Sequence, residues 1–125
     1  MLKEGISLTL EKIVNENETA SKVASGTLDV FSTPMLIAFM ENAAFQLVQP
    51  ELDEESSTVG ISINAKHLKA NLVGDKLSCV ATLTSIEGKK LNFSVQVFYM
   101  DTLVGEGEHS RYIINKKKFL ENIKR

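Results

Sequence analysis

The sequence predicts an α+β fold in which one curved antiparallel sheet wraps a single long buried helix. Three observations lead there. Residues 31–48, FSTPMLIAFMENAAFQLV, carry apolar side chains on nearly every side of a helical wheel; one segment with period-two alternation precedes them; and four such segments follow. A helix this short that is apolar all round is enclosed by protein, because spanning a bilayer takes about 20 consecutive apolar residues. The flat face of one sheet cannot cover it. Either the sheet curls or a second copy helps, and the edge strands left in need of pairing predict a homodimer or higher oligomer.

Taken in order, residues 6–13, ISLTLEKI, alternate as a strand, and residues 18–25, ETASKVAS, extend it or pair with it across Asn15, Glu16 and Asn17. A linker over 26–30 leads to the helix, where Ser32 or Thr33 offers a capping hydroxyl and Pro34 suits the first helical position. Pro50 and the charged loop through Ser57 end it. Strands are expected over 58–68, 76–86, 90–99 and 103–114. Ile61, Ile63, Ala65 and His67 share one face of the first; Leu77, Cys79, Ala81 and Leu83 one face of the second; Leu91, Phe93, Val95, Val97 and Tyr99 one face of the third. The short turns Glu87-Gly88-Lys89 and Met100-Asp101-Thr102 make antiparallel hairpins the natural pairing. Residues 116–125 read as a short amphipathic helix.

The 125 residues suffice for one domain, 1–125, and are too few for two. A net charge of −2 and a pI near 5.7 give no attraction to nucleic acid. Cys79 is the only cysteine, which excludes an internal disulfide and C-x-x-C chemistry and suits a reducing compartment. The first residues lack the apolar core and cleavage site of a secretory signal, so a cytoplasmic protein is expected, with no membrane partner.

Polar residues set among apolar ones are the candidates for chemistry. Glu41 interrupts the central helix, and a buried carboxylate needs a partner, a proton or a route to water. His67 takes an inward place on its strand; a structural histidine bonded to a loop carbonyl would read the same way. Thr33 is equally explained by capping. Together, hydroxyl, imidazole and carboxylate are a constellation for attack on an activated acyl group, with helix-start amides to hold an oxyanion. Gly60 would let a ligand approach the backbone, or simply enters a strand. Arg111, alternating with His109, would pair with a surface carboxylate or a phosphate.

Strand, long buried helix and a four-stranded run resemble the hotdog fold. Within it, STPMLIAFMENAA with Thr33 and Glu41, TVGISINAKH with Gly60 and His67, and SIEGKKLNFSV followed by GEGEHSRYII resemble the fluoroacetyl-CoA thioesterase-like family over about residues 5–120. The resemblance implies hydrolysis of an acyl-CoA, with Thr33, Glu41 and His67 as the catalytic group, Gly60 against the thioester carbonyl and Arg111 close by. It implies no metal and no redox cofactor. The fluoroacetyl-specific member has a longer, phenylalanine-bearing lid ahead of the helix, where this chain has the short SGTLDV, so a different or broader small acyl group is expected. A non-catalytic hotdog module that binds an acyl-CoA or another small ligand is the alternative of a different class, and a dehydratase or isomerase on the same fold is a third.

Overall fold

The computed structural model describes residues 1–124; Arg125, the last residue of the expected C-terminal helix, lies outside them. The chain runs through strand β1 (Ser7–Ile13), helix α1 (Thr33–Val48), strands β2 (Ser56–His67), β3 (Lys76–Glu87), β4 (Lys90–Tyr99) and β5 (Thr102–Asn115), and helix α2 (Lys116–Ile123). The five strands form one antiparallel sheet in the order β1-β3-β4-β5-β2. This is the expected α+β layout. The inward rows Leu77, Cys79, Ala81, Leu83 and Leu91, Phe93, Val95, Val97 are buried against Leu36, Phe39, Met40, Ala43, Ala44, Leu47 and Val48 of α1. No described helix is long and apolar enough to cross a membrane.

Three local outcomes position the functional side chains. The first concerns the start of α1. Ser32, not Thr33, is the cap: its Oγ accepts from the Met35 N–H at 3.3 Å, Thr33 becomes the first helical residue and Pro34 the second. The Thr33 hydroxyl is therefore released from capping.

The second is a β-bulge in β2. Gly60 pairs with Arg111 and Ser62 with Ser110, so Ile61 is an extra residue, and it is 51% exposed instead of facing inward. The bulge shifts the alternation by one place. Thr58 and Gly60 before it and Ile63, Ala65 and His67 after it all share the face opposite Arg111, His109, Gly107 and Gly105 of β5.

The third is that residues 18–25 form no strand. A 3-10 turn over Glu16–Glu18 is followed by turns closed by a Thr19–Phe31 bridge, with Ala20 N–H donating to the Val30 carbonyl and Ala24 at φ +62°. The segment folds on itself beside the start of α1, because its backbone bonds close locally and leave none for a neighbouring strand.

Within one protomer α1 is not enclosed all round. Thr33, Pro34, Ala38, Phe45 and Gln46 are exposed and Ile37, Glu41 and Asn42 half-buried, a stripe at helical spacing that the sheet leaves open. Beside it runs the free edge of β2, since that strand ends the sheet.

Candidate active site

Two clusters lie along the open stripe of α1. At the helix start, Thr33 Oγ1 and His67 Nδ1 are 2.8 Å apart. Phe31 meets the imidazole edge-on, with ring centroids 6.5 Å apart, and is itself anchored by its N–H on the Asn71 carbonyl and covered by the Lys12 ammonium. Lys12 is in turn held by the buried Glu18. His67 Nε2 is closed to water and has no hydrogen-bond partner among the described residues. Burial lowers the His67 pKa from its ordinary 6.5, so the ring is neutral at pH 7 and its Nδ1 can accept the threonine proton.

Thr33 and His67 line a cavity of about 270 Å³, together with Ser25, Val30, Lys69 and Ala70. Of the first-turn amides, that of Met35 is taken by the Ser32 hydroxyl and that of Leu36 by the Ser32 carbonyl, while Pro34 has none. The Thr33 N–H alone is without a partner among the described residues, so the expected set of oxyanion donors narrows to one at this end.

Two turns further along α1, Glu41 leans over Gly60. A Cβ built on Gly60 would stand 2.9 Å from Glu41 Oε2, 3.3 Å from Arg111 Nη1 and 3.3 Å from His109 Cε1. Glycine leaves room for the carboxylate and the guanidinium to converge over its backbone. Glu41 remains 40% exposed at its side chain, so it keeps a route to solvent. Arg111 is buried: its Nε donates to Thr58 Oγ1 at 2.8 Å and its Nη2 to the Thr58 carbonyl at 3.1 Å. Burial lowers its pKa while the nearby Glu41 opposes the shift, and it stays charged.

The structure thus brings Thr33 to His67, and Glu41 to Gly60 and Arg111. It does not bring Glu41 to His67 within one chain. Eight residues of helix separate Thr33 from Glu41 by about 12 Å, and the carboxylate points to the other cluster. His109, which sequence reasoning set beside Arg111 without a role, is the polar residue missed here: it is 2% exposed, with Nε2 4.0 Å from Glu41 Oε2. Its signal was its place in the alternation with Arg111, in a row that Gly107 and Gly105 continue.

One sheet wrapped over one long helix defines a hotdog-fold protein, and a hydroxyl bonded to a neutral imidazole beside a small cavity gives it a pair of groups suited to acyl transfer. The family model described as fluoroacetyl-CoA-specific thioesterase matches residues 14–117, and the chain belongs to that family. The fluoroacetyl-CoA thioesterase of Streptantibioticus cattleyicolor is 30% identical over 91 residues, a match spanning 73% of this chain and 66% of that one. A crystal structure of a point variant of the fluoroacetyl-CoA-specific thioesterase superposes with a TM-score of 0.93 at 24% identity, covering 98% of this chain and 96% of the other, which shows the shared fold. A second, in complex with fluoroacetate and CoA, has a TM-score of 0.89 at 25% identity over 94% and 99% of the two chains.

Proposed function

We propose that this protein is a homodimeric thioesterase that hydrolyses a small or short-chain acyl-CoA to the free acid and CoA. The observation that carries the reading is the 2.8 Å contact between Thr33 Oγ1 and His67 Nδ1 at the mouth of a small cavity. His67 takes the hydroxyl proton as Thr33 attacks the thioester carbonyl, and returns it to the departing CoA sulfur. Water then cleaves the acyl-threonine, giving the acid and restoring the hydroxyl. A route in which Glu41 activates water directly on the thioester uses the same residues. The CoA in the related complex supports the substrate class. Fluoroacetyl specificity is not carried over, since residues 19–30 hold no aromatic side chain. A cytoplasmic setting belongs to the same proposal and fits a buried Cys79 thiol whose pKa burial pushes up to about 12.

The separation of the two clusters gives the dimer a role. The free edge of β2 runs beside the open stripe of α1, and an antiparallel pairing of β2 with its copy, centred between Gly60 and His67, brings each Thr33–His67 pair to the partner's Glu41 and the partner's Gly60. The site is then completed only by two copies.

A thiol-release assay over acyl-CoAs of increasing chain length tests the activity: release is expected for the shortest acyl groups, and tight binding without release would instead mark a binding module. Mixing the separately inactive His67→Ala and Glu41→Gln chains tests the shared site. Random pairing makes half the dimers mixed, each with one intact site, so about one quarter of the parental rate should return. A mixture that exchanges subunits yet stays inactive would mean that each chain uses its own Glu41.

A further inference from the structure

We propose that His109 is a positioning residue of this site, whose neutral Nε2 accepts a hydrogen bond from Arg111 and so fixes that cation beside Glu41. The proposal rests on the thioesterase reading. It begins from the Ser62 carbonyl, which lies 2.8 Å from His109 Nδ1. A carbonyl only accepts, so Nδ1 carries the hydrogen; the ring being neutral, Nε2 presents its lone pair. Arg111 Nη1 lies 3.1 Å from that lone pair and donates to it. The ring cannot rotate away, because it is 2% exposed and stacked on Phe93 with centroids 6.0 Å apart.

The groups that face His109 fix its state. Arg111 comes from β5 and Glu41 from α1, while β2 contributes the Ser62 carbonyl and β4 the Phe93 ring. Burial is the largest influence and lowers the His109 pKa from 6.5; the Ser62 bond and Glu41 oppose it and Arg111 adds to it. A protonated ring would set a donor against a donor at Nη1.

The consequence falls on Arg111. Its three bonded partners, Thr58 Oγ1, the Thr58 carbonyl and His109 Nε2, are all neutral acceptors, so they orient the guanidinium without cancelling its charge. No carboxylate lies within 4.0 Å of it among the described residues, and the Phe45 ring covers it at 5.9 Å. The positive charge is thus aimed at the space over Gly60 and shared with Glu41, where a developing anion gains from it. A histidine that merely filled the core would need no lone pair toward the arginine.

The test is a double-mutant cycle in kcat/KM over the parent, His109→Leu, Arg111→Met and the double variant, with His109→Gln as the conservative replacement. His109→Leu should lose up to about 10²-fold, chiefly in kcat, as expected for a misplaced charge. His109→Gln, whose amide oxygen can still accept from Nη1, should recover most of the loss, and the leucine change should cost nothing further once Arg111 is methionine. Multiplicative losses, or a glutamine variant as poor as the leucine one, would overturn the proposal. In parallel, the Arg111 Nε–H resonance is followed by NMR in the parent, leucine and glutamine proteins, with thermal midpoints confirming that each folds. The resonance should shift and broaden in His109→Leu only; if it stays in place, the positioning role fails whatever the activity. A parent that releases thiol from no acyl-CoA sinks the thioesterase reading alone, and the NMR comparison still decides the role of His109.

Discussion

His67→Ala is expected to reduce thiol release from a good acyl-CoA substrate by 10²-fold or more while leaving the protein folded. Among the described residues the imidazole is the only basic group within hydrogen-bond distance of the Thr33 hydroxyl, and an alkyl hydroxyl without a base is a poor nucleophile near neutrality. Because His67 is only half-buried and its Nε2 bonds to none of the described residues, its removal breaks one hydrogen bond and one edge-on contact with Phe31, a loss of about 1 kcal/mol. Activity and stability should therefore separate. The pH profile of the parent carries the same information. Burial lowers the His67 pKa, so the proton-free ring needed as base persists below pH 6.5, and activity should be lost only as the pH falls through that lowered value. His67→Ala with the parental rate, or a parental acid limb centred above 6.5, would remove the base from the mechanism.

Much of the fold is legible in the sequence because inward rows on β3 and β4 repeat at period two without interruption, and burial follows them residue by residue. β2 is legible only in part. Gly60 and His67 are seven residues apart, which on a regular strand puts them on opposite faces, and nothing in GISINAKH announces the extra residue at Ile61 that brings both to the helix. Ser32 and Thr33 are chemically equivalent as caps; which one bonds the Met35 amide, and which is left for His67, depends on where β2 ends beside the helix. The open stripe of α1 was hidden for a similar reason. Ala38 and Phe45 are as apolar as the buried Ala44 and Phe39, so composition alone cannot say which side the sheet leaves uncovered. Residues 18–25 suit a strand by their pattern, but local turn bonds close the segment around Ala24, whose φ of +62° no strand accommodates.

Gly107→Ala is expected to be the most damaging single methyl group in the chain, acting on stability and activity together. Gly107 pairs with Ala65, and a Cβ there would stand 2.6 Å from the Asn64 carbonyl oxygen, 2.9 Å from Ala65 Cα and 3.1 Å from Ala65 Cβ. The nearest atoms are backbone, which cannot swing aside, so β2 must move off β5 at a cost of about 1–3 kcal/mol or more. Gly60→Ala is the informative control. Its new methyl meets the ends of Glu41, Arg111 and His109, of which the carboxylate at 2.9 Å is nearest and free to turn toward water. That variant should melt close to the parent and lose rate through a displaced Glu41. In Gly107→Ala, by contrast, the shift is transmitted along β2 in both directions, to His67 opposite Gly105 in the same register and to Gly60 opposite Arg111 across the bulge. Thermal unfolding of the two variants beside the parent separates the cases. If Gly107→Ala melts with the parent, the close approach of β2 to β5 is not what holds the two clusters in place.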